Sequence, residues 1–152
     1  DYKRVKKMDI NMEEMKERFK EEGYKLTTQR RAILDAIIEN HEKHLNPEEV
    51  YDIVKINYPE IGIATVYRTL QLLEKLNIIY RVNFDDGYNR YELNCDSDNH
   101  HHHHLICLRC GKVMEVKLDL LENLENEIEI ENSFKIVDHN VKFFGYCADC
   151  QQ

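Results

Sequence analysis

Four segments in the first half of the chain place apolar residues at helical spacing, each behind a residue type that begins helices. The predicted helices run from Asn11 to Gly23, from Thr27 or Thr28, from Asn46 to a point before Pro59, and from Ile63 to Asn77. Glu14 and Glu49 lie three residues after Asn11 and Asn46 and would complete capping boxes. The side chains expected to face a common core are Met12, Met15, Phe19, Ile33, Leu34, Ile37, Ile38, Val50, Ile53, Val54, Val66, Leu70 and Leu73.

The period of the pattern changes to about two after the fourth helix. The segments 78–84 and 88–93 alternate and flank Asp85, Asp86 and Gly87, which is typical of a hairpin. Helices followed by a two-stranded ribbon are the element order of a winged helix-turn-helix. In that fold the fourth helix would be the recognition helix.

The polar face of the fourth helix carries residue types that bond phosphates and base edges. These are Thr65, Tyr67, Arg68, Thr69 and Gln71, with Lys75 near the helix end. Lys25, Arg30 and Arg31, near the start of the second helix, are further candidates for phosphate contacts. Both groups are also what an ordinary solvated helix face contains.

Cysteines in the second half predict a metal site. Cys107 and Cys110 form one Cys-x-x-Cys pair, and Cys147 and Cys150 form another after 36 intervening residues. Two such pairs supply the four thiolates of a tetrahedral zinc. Two disulfides, a redox pair or an iron–sulfur cluster would use the same spacing. Cys95 has no partner in this pattern.

A run of five histidines, His100 to His104, precedes the first cysteine pair. In an extended segment, alternate residues point to opposite faces, so the run could serve two different metal sites. The other candidate donors are His44, Glu92, Glu115, Glu122 and His139. Each of these residues also has an ordinary structural interpretation. His44 could lie in a loop, and Glu92 and Glu115 could lie on strand surfaces. Glu122 could be the capping partner of Asp119 for a helix 120–131, and His139 could be a core histidine that alternates with Val137, Val141 and Phe143.

Charge is distributed unevenly along the 152 residues, whose formal net charge is −8. Residues 1–91 carry 16 basic and 17 acidic side chains, whereas residues 92–152 carry 5 and 12. The first 31 residues have a net charge of +3. Overall acidity argues against a nucleic-acid partner, but the nearly neutral first half leaves that partner open. We see neither a membrane span nor a signal peptide, which favours a reducing cytoplasm.

Four stretches of the chain resemble the ferric uptake regulator family, in the family's order. They are residues 62–70 (GIATVYRTL), 91–93 (YEL), 101–115 (HHHHLICLRCGKVME) and 145–150 (GYCADC). The resemblance implies an α+β chain: a winged-helix DNA-binding domain over residues 1–93 and a small α/β dimerisation and metal-sensing domain over 94–152. It also implies a homodimeric, metal-dependent repressor of double-stranded operator DNA.

The resemblance assigns three metal sites. The regulatory site, for Fe²⁺ or alternatively Mn²⁺ or Zn²⁺, would use His44, Glu92, His102, His104 and Glu115. A second site would use His101, His103, Glu122 and His139. Structural zinc would be bound by Cys107, Cys110, Cys147 and Cys150. The family's usual pattern has an aspartate where this chain has His103, which implies a weaker or more zinc-selective second site. Peroxide sensors of the family carry aspartate at the position of Glu115, so Glu115 favours iron sensing.

Two hypotheses of another class remain from the residues themselves. A metalloenzyme would also combine a structural zinc with a His/Glu site, and a histidine-rich protein could buffer metal. The chain contains no His-Glu-x-x-His or deaminase signature, which argues against the enzyme. Metal-dependent DNA binding without turnover would distinguish the regulator from both.

Overall fold

The chain forms two compact units, Asp1–Cys95 and Asp96–Gln152. The computed structural model describes residues 11–94, 103–116 and 121–151. Elements of the first unit are α1 (Met12–Glu21), α2 (Thr28–Glu39), α3 (Pro47–Asn57), α4 (Ile63–Lys75), β1 (Ile79–Val82) and β2 (Arg90–Leu93). The first unit also contains a short 3₁₀ turn at His41–Lys43. The elements of the second unit are β3 (His103–Cys107), β4 (Val113–Val116), α5 (Glu122–Asn132) and β5 (Lys142–Gly145), followed by a short 3₁₀ turn at Ala148–Cys150.

Local capping explains where the helices of the first unit begin. Asn46 accepts a hydrogen bond from the backbone N–H of Glu49 at 2.8 Å, and the Glu49 carboxylate accepts one from the N–H of Asn46 at 2.9 Å. The predicted capping box of α3 is therefore confirmed. Asn11 does cap α1, but it accepts from the N–H of Glu13, so the predicted box with Glu14 is wrong.

The apolar stripes of the four helices meet in one core, as predicted. The fully buried side chains include Phe19, Ile33, Leu34, Val50, Val66, Leu70 and Leu73. Met12, Met15, Ile38 and Ile53 are half-buried and pack against them. The fourth helix ends at Lys75, two residues earlier than expected, because Asn77 adopts a left-handed conformation with φ of 55°.

The hairpin follows α4 as the sequence predicts, with shorter strands. β1 and β2 are antiparallel, and Tyr80 lies opposite Glu92. Asp85 and Gly87 take positive φ values of 59° and 82° in the connection, which turns the chain back. The predicted α+β class with a winged helix is confirmed.

The second unit is built on a three-stranded sheet in the order β4-β3-β5. β3 is antiparallel to β4 and parallel to β5. The helix α5 begins at Glu122 behind Leu121, with no side-chain cap; Asp119, the partner in the alternative capping role of Glu122, lies outside the described residues. Val137 is 93 % exposed and Phe143 49 % exposed, so the alternative in which His139 belongs to a buried alternating strand finds no support.

In the parts of the chain that the structure describes, no helix is long and apolar enough to cross a bilayer.

Candidate metal-binding sites

Strand pairing brings the two cysteine pairs together. β3 and β5 run parallel with Cys107 opposite Gly145, and the N–H of Leu108 donates to the carbonyl of Gly145 at 2.7 Å. Gly111 closes the first turn with a positive φ of 73°, and its N–H donates to the Cys107 carbonyl at 2.9 Å. The segments that follow β3 and β5 therefore leave the sheet side by side.

The four thiols form a compact group with tetrahedral dimensions. The sulfur atoms of Cys107, Cys110, Cys147 and Cys150 all lie within 4.8 Å of one another, and no disulfide joins them. The Sγ atoms of Cys110 and Cys147 are 3.7 Å apart. A tetrahedral ion with metal–sulfur bonds of about 2.3 Å separates its sulfurs by about 3.8 Å. The arrangement therefore fits zinc.

The pKa values of two of these thiols are shifted in opposite directions. Backbone N–H groups, those of Cys110 and Cys147 foremost, lower the pKa of Cys107 to about 6. Hydrogen bonding to the Cys147 thiol, together with burial, raises the pKa of Cys150 to about 12. One thiolate thus forms readily while another resists ionisation beside it. A bound dication would compensate the accumulated negative charge of four thiolates.

The first unit contains a buried pair of nitrogen and oxygen donors. His44 and Glu92 are 2 % and 6 % exposed, and the Nε2 atom of His44 contacts Oε1 of Glu92. The hydroxyl of Tyr80, directly across the hairpin, donates to the other carboxylate oxygen. The His44 ring meets the edge of Phe84 at a centroid distance of 5.2 Å. An apolar wall and a second partner for the carboxylate are usual around metal-binding donors.

The second unit contains another such pair. His104 in β3 lies opposite Glu115 in β4, and each offers a donor atom within 4.8 Å of the other. His104 is buried, whereas Glu115 is exposed. Antiparallel register explains the proximity, because side chains directly opposite one another share a face of the sheet.

The residues predicted for the second site are partly brought together. The rings of His103 and His139 lie 5.1 Å apart between centroids. It is Glu125, one turn further along α5 than the predicted Glu122, that contacts Nδ1 of His139. Glu122 is exposed in the first turn of the helix. His101 and His102 lie outside the described residues, and so does Cys95.

Most of the predicted DNA-facing side chains lie on the surface. Tyr67 and Arg68 are exposed on α4, where the Tyr67 hydroxyl donates to Glu48 at 2.5 Å and Arg68 donates to the Thr65 hydroxyl at 3.4 Å. Arg30 donates to the backbone carbonyl of Lys25 at 2.7 Å. Thr69 was expected on the same face, but it is 3 % exposed because it lies on the core side of α4.

Sequence reasoning missed three residues that contact the candidate donors. Tyr80 donates to the Glu92 carboxylate, Arg90 donates to the backbone carbonyl of His44, and Glu125 contacts His139. The position of Tyr80 opposite Glu92 depends on the register of the hairpin, which the sequence pattern did not predict. Arg90 lies two positions before Glu92 in β2. Side chains two positions apart in a strand point to the same face, so the sequence pattern could have indicated Arg90. Glu125 lies three positions after Glu122 and therefore next to it on one helix face.

Comparison with known proteins agrees with these features. The model of the ferric uptake regulator family matches residues 21–144. The ferric uptake regulation protein of Bacillus subtilis (strain 168) is 46 % identical over 143 residues, which are 94 % of this chain and 96 % of that protein. A structure of the Helicobacter pylori ferric uptake regulator, described as having three functional metal binding sites, matches with a TM-score of 0.80 and 32 % identity over 93 % of this chain and 91 % of that one.

A second solved structure gives the same result. The ferric uptake regulator of Francisella tularensis with iron matches with a TM-score of 0.75 and 33 % identity, over 86 % of this chain and 96 % of that one. The resemblance seen in the sequence is thereby confirmed, and so is the prediction that the chain is not an enzyme. The chain belongs to the ferric uptake regulator family, whose members are dimeric, metal-responsive regulators that bind DNA.

Proposed function

We propose that this protein is a homodimeric cytoplasmic repressor that binds palindromic operators of iron-uptake genes when Fe²⁺ occupies its regulatory site. The site would consist of His44, Glu92, His102, His104 and Glu115. The observation that carries the proposal is the buried contact of His44 with Glu92 in the winged-helix unit, because it brings together, away from water, an imidazole nitrogen and a carboxylate oxygen of the kind that bind divalent transition metals.

The donor types narrow the choice of metal. Imidazole nitrogens and carboxylate oxygens suit Fe²⁺, Mn²⁺ and Zn²⁺, and intrinsic affinity follows an order in which zinc exceeds iron. The four thiols form a separate group of softer donors, which would take zinc and retain it as a structural ion. Fe²⁺ at the His/Glu site is favoured by the relatives and by Glu115, where peroxide sensors would carry aspartate.

Ligands drawn from both units would explain how metal controls DNA binding. His44 and Glu92 belong to the first unit, whereas His104 and Glu115 belong to the second. With metal bound, these residues would be held at one mutual separation, which would fix the angle between the units. A two-fold dimer needs a defined spacing between its recognition helices to meet two half-sites, so occupancy becomes operator affinity through linkage.

The remaining predicted residues have supporting roles in this proposal. Lys25, Arg30, Thr65, Tyr67 and Arg68 would contact the operator. His101, His103, Glu122 and His139 would form a second metal site, in which Glu125 is a further carboxylate within reach of His139.

An apolar cavity of about 460 Å³ between α5 and the segment 134–141 presents exposed Leu124, Ile128 and Phe134. Exposed apolar surface of this kind fits the face on which two copies associate.

The test compares operator affinity with and without metal in protein whose cysteine site is already zinc-loaded. We expect Fe²⁺ or Mn²⁺ to raise affinity at least tenfold, about 1.4 kcal/mol of coupling. His44→Ala should abolish the increase. His41→Ala is the matched control, since His41 lies in the same turn but contacts the carbonyl of Ile38 instead. Equal affinity of the wild type with and without Fe²⁺, Mn²⁺ or Zn²⁺ would contradict the proposal.

A further inference from the structure

His44 holds an unusual backbone conformation for a side chain of its size. It follows the 3₁₀ turn His41–Lys43 with φ of 51° and ψ of 62°, in the left-handed region that non-glycine residues rarely occupy. Such a conformation persists only where the surroundings enforce it, and it is frequent at functional sites. The groups that enforce it therefore decide where the imidazole points.

Strand β2 holds this loop at three points. The guanidinium of Arg90 donates to the backbone carbonyl of His44 at 3.1 Å. The N–H of Tyr91 donates to the carbonyl of Leu45 at 3.1 Å, and Glu92 contacts the His44 ring. Arg90 and Glu92 lie two residues apart on one face of the strand, so one element holds both the backbone and the side chain of His44.

Arg90 itself is fixed by other partners. Its Nε and Nη2 atoms lie 2.9 Å and 2.8 Å from one carboxylate oxygen of Asp86. Its guanidinium lies over the ring of Tyr88 at 5.7 Å from the centroid. The side chain is only 18 % exposed. A forked, planar cation restrained on several sides has little freedom to release the His44 carbonyl.

The same guanidinium reaches the first turn of α3. Nη1 of Arg90 lies 3.4 Å from Oε2 of Glu49, the oxygen that also accepts the N–H of Asn46 in the capping box. The neighbouring Glu48 accepts the hydroxyl of Tyr67 on α4. Nη1 of Arg90 therefore contacts the loop that carries His44, a candidate metal ligand. The same atom contacts the N-terminal end of α3, and that end contacts α4, the predicted recognition helix.

We propose that Arg90 is a positioning residue that orients His44 for metal binding and couples occupancy of the His44–Glu92 pair to the N-terminus of α3. The contacts that link His44 to α3 all lie within the first unit. The coupling would act inside the winged-helix unit, alongside any change in the angle between the units. The inference rests on the proposed metal-dependent DNA binding and names a residue that regulates it.

The test uses the full-length, zinc-loaded protein with Mn²⁺ as an air-stable probe. Two quantities are measured for Arg90→Met and Arg90→Lys: the Mn²⁺ dissociation constant, from electron paramagnetic resonance of the free ion, and the ratio of operator affinities with and without saturating Mn²⁺. Arg81→Met is the matched control, because Arg81 lies in the paired strand and contacts Glu74. Loss of a residue that orients a ligand typically weakens metal binding 10- to 100-fold.

We expect Arg90→Met to weaken Mn²⁺ binding at least tenfold and to reduce the affinity ratio at least threefold, with Arg90→Lys intermediate. Arg81→Met and metal-free operator binding should stay within twofold of the wild type. A merely structural role would lower the melting temperature and leave both metal-dependent quantities unchanged, and that result would overturn the inference.

A second variant guards against loss of folding. Glu49→Gln keeps an acceptor for the capping box but removes the charge that faces Arg90. It should reduce the affinity ratio in the same direction, and the double variant should show less than the sum of the two effects. Strict additivity would overturn the coupling. Absence of any metal response in the wild type would instead refute the proposed function itself, so the two failures are distinguishable.

Discussion

Removal of zinc from the four-cysteine site should unfold the second unit selectively. That unit has little apolar core of its own: among its described residues, the buried apolar side chains are Ile106, Cys107 and Cys147. Two of these three are candidate metal ligands. Thiolate–metal bonds would therefore replace much of the packing that a larger domain uses, as in small metal-dependent domains.

The size of the effect follows from linkage. At a free zinc concentration a thousandfold above the dissociation constant, binding to the folded state alone contributes about 4.1 kcal/mol. A unit of this size loses roughly 4 to 8 °C of melting temperature per kcal/mol. Chelation should therefore lower the melting transition of the second unit by roughly 16 to 33 °C. The first unit should be unaffected, since its core is built from the helices around Phe19 and Leu70.

Differential scanning calorimetry of zinc-loaded and chelated protein measures both transitions in one experiment. Cys110→Ser should reproduce the effect of chelation. Lys112→Ser is the matched control, because Lys112 is exposed in the same turn and offers no sulfur. A shift of under 3 °C after zinc loss has been verified by metal analysis would refute the reasoning, and so would unfolding of both units together.

Three further predictions concern the first unit. Asn46→Ala removes the capping box of α3 and should lower the free energy of unfolding by about 1 kcal/mol in urea titration; no change would show that the cap is replaceable. Phe19→Ala should cost about 3 to 5 kcal/mol because Phe19 is fully buried, whereas Ile56→Ala, at a position 76 % exposed, should stay within about 0.5 kcal/mol. Arg68→Ala should weaken operator binding in fluorescence anisotropy and leave zinc content and dimerisation intact, while Lys55→Ala should leave operator affinity unchanged. Wild-type affinity of Arg68→Ala would show that the DNA-facing helix is wrongly assigned.

Local signals explain why the helices of the first unit could be predicted from the sequence. Asn46, Pro47 and Glu49 act within one turn, and the apolar stripe that contains Leu70 repeats with the period of the helix. The end of α4 was misplaced because the pattern of apolar residues does not report the left-handed backbone of Asn77.

The second unit was harder to predict because its contacts join distant segments. Alternation around His139 suggested a buried strand, yet β5 begins only at Lys142 and Phe143 is half exposed. The partner of His139 is Glu125 on α5, a contact that depends on how the helix lies against the following segment. Spacing along the chain carries no information of that kind.

The metal sites also differ in how far the sequence alone could predict them. The cysteine spacing alone indicated a four-thiol group, because each pair is local and only one long-range pairing was required. His44 and Glu92 are 48 positions apart in the sequence; each was a candidate donor, but only the family resemblance placed them in one site. Their burial and mutual contact now support that role, and the hairpin register adds Tyr80, which no motif indicated.

In the proposed function, metal occupancy and operator binding are thermodynamically coupled. Coupling between two ligands is reciprocal, so the operator must tighten metal binding by the same factor by which metal tightens operator binding. The direct measurement is the Fe²⁺ dissociation constant of zinc-loaded protein, determined anaerobically with and without saturating operator DNA. We expect at least a tenfold decrease in that constant when the operator is present. An identical Fe²⁺ affinity in the two conditions would contradict the coupling.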